Sequence, residues 1–443
     1  MLHENTNDLP DAVARIKRIA SQHGQPVSWV INDQEYLNLE GLLPDFLRWQ
    51  KEGDSILVTM ELTTSPAGVD KMDTERVIKW IGGQCEKAGF TPDGLWSLKF
   101  YETDLEALGA LPADKYGWTR NLAGACWHQL GIDESTWLGV PYNPYYVAPW
   151  NAKAAAQPRD SQEFLMLEWL TRDITAILSG GFAATFSLDP ADANRRDAGG
   201  FQTETEALRY SVDLIDETAR QIALNDTVVV NINEEARHYQ TEGHDKDFML
   251  DGMFARFAQI ASKQGALQAP CKDVWKHFRS RYKQTPQTIW ACNDLDWRRG
   301  EIAGAGETYN NRVAGDCSVL FQDFDVQMLF LRSKGHAPVE IYNYADHNCG
   351  GNTNEQYPCK PAPEISIGDV RLDQQPDGLR IDLKCAGEIA DDAGVMLWDI
   401  PVSPNQIVAA TSSAVRTARV TEHGLFLRLD LRHRDDIWVL LKP

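Results

Sequence analysis

Gly117 to Trp150 reads GWTRNLAGACWHQLGIDESTWLGVPYNPYYVAPW. Its first part, Asn121 to Trp127, is small and apolar like a buried strand, although a short apolar run also suits a buried helix. Beyond it, Trp127, Trp137, Tyr142, Tyr145, Tyr146 and Trp150 crowd around His128, Asp133 and Glu134. Pro141, Pro144 and Pro149 exclude a regular helix through the second half. A long, stiff, aromatic loop rich in carboxylates is costly to expose and is usually functional in a compact domain. Flat rings can cover the C–H faces of a sugar while acids meet its hydroxyls or its glycosidic oxygen. The alternative is a packing loop that plugs one end of a barrel.

Working outward, strands alternate with helices over about 300 residues. The pattern predicts helices over 10–22, 39–50, 74–88, 104–115 and 164–178, the first with Val13, Ile16 and Ile19 in one stripe. Strands are expected at Val27–Ile31, Ser55–Leu62, Trp96–Tyr101, Ala183–Leu188 and Thr288–Cys292. TVVVNI, Thr227–Ile232, is the strongest strand signal, since β-branched residues suit burial on both faces. Thr203 and Glu206 form a capping box, and the helix behind it should bury Leu208, Val212, Ile215, Ala219 and Ile222. Two more helices near 246–262 and 271–283 carry Leu250, Phe254, Phe257 and Val274, Phe278, Tyr282. Gly89 stands where a C-cap glycine belongs.

Acids recur just after these strands: Asp33 and Glu35, Glu61, Glu102 and Asp104, Glu234 and Glu235, and Asp294. That placement predicts an α/β fold, a (β/α) barrel of TIM type or with seven strands, whose chemistry gathers at the C-terminal strand ends. An open doubly wound sheet is the competitor, but GxGxxG and GxxxxGK[ST] are both missing. The run GGNTNEQYPCKPAPE, 350–364, reads as a linker. Past it the period becomes two: Leu379, Ile381 and Leu383, then Leu425, Leu427, Leu429 and Leu431, alternate with mostly polar neighbours. We therefore expect a barrel over 1–350 and a C-terminal antiparallel β-sandwich over 362–443.

With 443 residues, 43% of them hydrophobic, the chain can bury a large core. Its formal charge of −21, from 64 acids against 43 bases, repels phosphate backbones and anionic membranes. A neutral oligosaccharide or glycoside suits this field better. No apolar run of about 18 residues suggests a membrane span. The start shows no apolar signal core, and the eight cysteines fall at irregular spacings without CxxC, which favours a cytoplasmic location with free thiols. No cofactor is expected, and no nucleophile elbow of GxSxG type occurs.

Glycoside cleavage needs two carboxyls. Asp133 and Glu234 or Glu235 are the candidates, and adjacent side chains on an extended segment diverge, so one of the latter pair should face the site. Trp127, His128, Trp137, Tyr145, Tyr146, Asp33, Glu61 and Glu102 are the candidate sugar contacts. Each has a plainer reading: a solvated acidic pair capping a helix, a loop cap, or a structural histidine. A metal held by Asp33 with His128 or His238 finds no supporting spacing.

VSWVIND at the first strand, SILVTMEL at the second, and LWSLKFYETDLEAL followed by DKYGWTRNLAGACW resemble the glycoside hydrolase/deacetylase superfamily, the NodB-like deacetylases and their hydrolase relatives. WHQLGID, PYNPYY and EWLTRD also resemble a group of uncharacterised bacterial proteins. The superfamily resemblance implies a (β/α) barrel acting on carbohydrate. Its metal-dependent members carry Asp–Asp after the first strand and His-x-x-x-His after the second. Here the chain reads Asn32–Asp33 and MELTTSPAG, so the resemblance implies the metal-independent hydrolases, which use two carboxyls.

Overall fold

The computed structural model describes residues 9–31, 42–59, 83, 85–89, 91–97, 124–128, 140, 143–148, 151–155, 165–169, 189–194, 201–232, 234, 236–239, 246–291, 318–323, 328–333, 340–343, 365–387, 393–398, 400–421 and 424–443. The chain divides into two compact units. The first comprises Met1–Leu320, Ser333–Ala337 and Gly350–Tyr357; the second comprises Phe321–Arg332, Pro338–Cys349 and Pro358–Pro443. The second unit thus draws in segments near 321–349 that the linker reading assigns to the first.

The first unit is α/β. It opens with α1, Leu9–Gln22, which buries Val13, Ile16 and Ile19 as its spacing predicts. Next come β1 (Ser28–Ile31), α2 (Leu43–Glu52), β2 (Ser55–Thr59), β3 (Gly94–Ser97), β4 (Gly124–His128), β5 (Tyr145–Ala148), β6 (Asn151–Ala155) and β7 (Leu165–Trp169). Among the described residues these strands form one sheet in the order β1-β2-β3-β4-β7-β5-β6. β1 to β4 and β7 are parallel, and β5 runs antiparallel to β7. Sequence neighbours lie side by side, so the winding does not reverse between β1 and β4 as it does in a doubly wound sheet.

Segment 164–178, expected to be helical, instead begins with β7. Leu165, Met166 and Leu167 are all buried, so the strand is covered on both faces, and such a run carries no alternation to separate it from a helix. The predicted helix over 104–115 and the strand Ala183–Leu188 lie outside the described residues. Gly89 takes φ +73° and its N–H donates to Glu86 O at 3.1 Å, as a C-cap glycine should.

α3 (Glu204–Arg220), α4 (Asp247–Gln264), α5 (Cys271–Arg281) and β8 (Thr288–Ala291) follow. The capping box at Thr203 and Glu206 is complete. Of the expected face of α3, Ile215 and Ala219 are buried, Leu208 and Val212 are half-buried and Ile222 is exposed beyond the helix end, while Tyr210 and Leu214 extend the buried side. Leu208 is half-buried because it packs on Gly252 of α4, where a Cβ would come 2.7 Å from Leu208 Cδ2. Arg256 of α4 clamps Asp216 of α3 with two donors, at 2.5 and 2.7 Å.

Thr227–Ile232 corrects the strongest strand expectation. It is half-buried and joins no strand ladder among the described residues. β-Branched residues favour extended backbone, but a ladder also needs a free edge. One edge of β8 is already occupied by side-chain amides: Asn225 both donates to and accepts from Ile289, at 2.7 and 2.9 Å, and Gln221 does the same to Ala291, at 3.0 and 3.1 Å.

Helices cover both faces of the parallel sheet. On one, Trp29 of β1 stacks on Trp49 and meets Phe46 edge-on, both from α2. On the other, Cys271, Trp275 and Phe278 of α5 pack with Leu57, Leu165, Leu167, Val30 and Trp96. The start of α5 sits at the N-terminal ends of β1 and β2: Cys271 N donates to Ser28 Oγ at 2.8 Å and Lys272 N to Ser55 Oγ at 3.2 Å. Just past its end, Tyr282 O accepts from Tyr146 OH at 2.8 Å. Tyr146 stands in register with Leu165, the first residue of β7. α5 therefore runs beneath the sheet from β1 to β7. Eleven residues cover about 16 Å, close to the roughly 19 Å of four strand spacings.

That same edge holds a dense polar network. Asp54, 1% exposed, accepts from Lys17 Nζ at 2.7 Å on each oxygen, from Val27 N at 3.0 Å and from Trp29 Nε1 at 2.8 Å. Lys272 Nζ donates to Asp54 O. Asp93 accepts from Ile56 N at 2.9 Å and from Gln50 Nε2 at 2.8 Å.

β9 (Ser318–Asp323) crosses into the second unit, where β10 (Met328–Ser333) and β11 (Glu340–Asn343) pair antiparallel. β12 (Ile365–Gln375), β13 (Gly378–Gly387), β14 (Ala393–Trp398), β15 (Ile407–Thr411), β16 (Val415–Thr421), β17 (Gly424–Leu429) and β18 (Ile437–Lys442) make two antiparallel sheets, β12-β13-β18-β15 and β14-β17-β16. Leu379, Ile381 and Leu383 share one core with Val395, Leu397, Leu425, Leu427, Leu429, Val439 and Leu441, as period two requires. Phe426, expected to face outward, is 1% exposed because Phe321 covers it, ring centroids 5.2 Å apart. Gly424, at φ +149°, starts β17 where a Cβ would run into the Leu397 carbonyl oxygen.

Candidate active site

The parallel register brings one end of each strand together. Val58 lies beside Ile31, Thr59 beside Trp96, Ser97 beside Trp127 and His128 beside Trp169. Trp127 and His128, two of the expected sugar contacts, thus stand at the C-terminal end of the sheet. They neighbour Glu168 and Trp169 of β7, which the helical reading of that segment hides. Asp33, Glu61, Glu102, Asp133, Trp137 and Glu235 lie outside the described residues. Tyr145 and Tyr146 are 0% and 3% exposed; their rings belong to the core, and Tyr146 spends its hydroxyl on Tyr282.

Glu234 is described, and it is half-buried. The 3-10 turn Ala236–Tyr239 folds back on it, and Tyr239 OH donates to Glu234 Oε2 at 2.7 Å. Tyr239 is 2% exposed, and its carbonyl accepts from Arg15 of α1, which also donates to Asp247 at 3.2 Å. One residue earlier, His238 Nδ1 lies 3.5 Å from Asp189 Oδ2. Asp189 is 2% exposed, and its Oδ1 accepts from Ala191 N at 2.7 Å, opening the helical turn Pro190–Ala193. Two separate contacts thus leave the turn, Tyr239 to Glu234 and His238 to Asp189 of a distant segment.

Tyr239 carried no sequence signal, and His238 was legible only as a remote metal ligand. Asp189 followed by Pro190 is a helix-start signal, which places the carboxylate but not its partner. Thiol chemistry is disfavoured at the cysteines whose titration is perturbed: burial pushes Cys85 up to about 12 and raises Cys385. Among the described residues, no three His, Cys, Asp or Glu side chains are grouped to hold a metal. No helix among them is long and apolar enough to cross a membrane.

No family model and no curated protein matches the chain. Among solved structures it is similar to a crystal structure at 1.44 Å of a provisionally assigned glycoside hydrolase/deacetylase from Parabacteroides distasonis. The TM-score is 0.55 over 82% of each chain, at 15% identity. The chain shares the fold of that structure. At that identity the likeness speaks for the fold, and the chemistry must come from side chains. The glycoside hydrolase/deacetylase fold agrees with the resemblance seen in VSWVIND and SILVTMEL.

Proposed function

We propose that the protein is a carbohydrate-active enzyme that hydrolyses a glycosidic bond in a neutral oligosaccharide without a metal ion. The carboxyl pair is Asp133 with Glu234 or Glu235. Trp127 and Trp137 line the sugar subsites, His128 stands beside the charge, Asp33, Glu61 and Glu102 ring the strand ends, and Tyr145 and Tyr146 back the wall from the core. In this reading the sequential parallel sheet closes as a (β/α) barrel floored by α5, and the C-terminal strands form an accessory β-sandwich.

The observation that supports this most is Glu234. Its carboxylate accepts from the Tyr239 phenol and is partly enclosed, in a chain that shares its fold with a provisionally assigned glycoside hydrolase/deacetylase. General acid or base catalysis by such a group contributes roughly 10²- to 10⁴-fold. The carboxyl separation decides the outcome at the anomeric carbon, about 5–5.5 Å for retention and about 6.5–9.5 Å for inversion.

The test is a panel of aryl glycosides and end-labelled neutral oligosaccharides, each run with and without chelator. Cleavage should survive the chelator and fall by about 10²- to 10⁴-fold in Asp133→Asn and Glu234→Gln. Acetate release abolished by chelator would identify a deacetylase. Retention of an unaltered oligosaccharide would identify a binding protein.

A further inference from the structure

The hairpin of β12 and β13 turns through Pro376 and Asp377, with Gln375 opposite Gly378. The residues that close such a turn exchange both backbone bonds, and the ladder alternates from there. Asp369, Arg371 and Asp373 therefore give their N–H and C=O groups to β13, and those of Val370, Leu372 and Gln374 point away from it. Among the described residues β12 is an edge of its sheet, and Arg371, Leu372, Asp373 and Gln374 are exposed. Leu372 stands opposite Ile381 on the core face, yet it is 42% exposed. At the other edge, β15 is interrupted by a bulge between Val408 and Ala410. The irregularity in β12 falls at Ile367–Asp369 and leaves the rest of the strand in register.

A regular edge that carries an apolar side chain invites another strand, and its charges decide which. On the outer face Asp369 lies opposite Lys384, Arg371 opposite Asp382 and Asp373 opposite Arg380. Each charge of the hairpin thus meets the other sign. Within β12, Arg371 also donates to Asp369 at 3.1 Å.

We propose that the protein self-associates as a two-fold dimer through β12, two copies pairing antiparallel about Leu372. In that register Arg371 lies opposite the partner's Asp373, and Asp373 opposite the partner's Arg371. The alternation of sign across β13 and β12 then continues over the seam. Leu372 meets the partner's Leu372, and Val370 the partner's Gln374. These are the residues whose backbone groups face outward, so each such pair exchanges two bonds. An axis at Arg371 also satisfies the backbone, but it sets Arg371 against the partner's Arg371 and Asp369 against the partner's Asp373. Like charges directly opposite each other destabilise a sheet. An axis at Val370 runs the pairing into the Ile367–Asp369 irregularity. The backbone bonds suit any extended segment, while the sign pattern suits this one.

The full chain is followed by sedimentation velocity across the micromolar range, where the wild type should dimerise reversibly. Arg371→Asp and Asp373→Arg each put like charges across the seam at both crossings, and each alone should weaken the dimer on the order of tenfold. Mixing the two variants should restore it, because every crossing pair is then of opposite sign. A variant that merely disturbed its own hairpin would not be rescued by the other. Leu372→Pro removes an N–H that faces outward and spares the β12–β13 ladder, so it should give a folded monomer by circular dichroism.

A monomeric wild type overturns the self-pairing and leaves the edge to a strand of another protein. A dimer that neither charge reversal weakens overturns β12 as the seam. Single variants that weaken the dimer and fail to recover on mixing overturn the register. Should Leu372→Pro unfold, the mixing experiment decides alone.

Discussion

Two acids in the first unit, the buried Asp54 and the half-buried Glu234, live in opposite company. Asp54 sits at the N-terminal edge of the parallel sheet with both oxygens on the Lys17 ammonium, together with a backbone N–H and an indole N–H. Ammonium, backbone and indole donors hold both oxygens, so the group is a fixed post beneath the strands. Glu234 accepts from Tyr239, one residue from an imidazole that faces Asp189. Enclosure alone therefore does not mark a chemical site, and the kind of donor each carboxylate meets is what separates these two acids. In open α/β sheets ligands gather outside the C-terminal ends of the strands, and Asp54 stands at the opposite edge.

The contrast breaks most readily at Asp54. Asp54→Asn leaves the Lys17 ammonium without its counter-charge in a mostly buried site and should cost about 3–5 kcal/mol of stability. Urea unfolding measures that cost, and protein that stays folded should keep its turnover per site. If stability is unchanged while turnover collapses, the roles assigned to the two regions are reversed. Tyr239→Phe sharpens the other side. Losing a hydrogen bond to a charged group is worth about 1.5–3 kcal/mol, so turnover should drop by roughly tenfold to a hundredfold. A rate equal to wild type would show that the phenol does not hold the carboxylate for chemistry.

The smallest effect lies in the second unit. The Arg432 guanidinium, bonded to both Asp430 oxygens at 2.8 and 2.5 Å, holds that carboxyl well below the usual carboxylate range, opposed by burial and helped by Arg416. A depressed folded pKa contributes stability above the unfolded value of about 3.9 and loses it as pH falls toward the folded one. Urea midpoints of the wild type should therefore drop between about pH 5 and 2 more steeply than those of Asp430→Asn. Parallel curves would remove Asp430 from the account of acid sensitivity.

Periodicity and capping made much of the fold legible. The stripe Val13, Ile16 and Ile19, the capping box at Thr203 and Glu206, the glycine at position 89 and the alternation of Leu379, Ile381 and Leu383 all took their expected places. Each is a local signal set by 3.6- or two-residue repeats or by backbone groups within one turn. β7 was misread because a strand buried on both faces loses its alternation. Of the site, Glu234 was legible as an acid after an extended segment, and Trp127 and His128 as the end of a strand.

What the sequence by itself determined is an α/β unit followed by antiparallel strands, and an excess of acids near strand ends. Only the tertiary structure decided which acids acquired which neighbours. It turned Asp189 toward His238, closed Tyr239 over Glu234, sank Tyr145 and Tyr146 into the core, covered Phe426 with Phe321, and capped β8 with amides where Thr227–Ile232 was expected to join a ladder. The physical reason is range. Hydrophobic period and caps are written within a few residues, whereas a buried polar contact is chosen by whichever distant segment meets its hydrogen bonds.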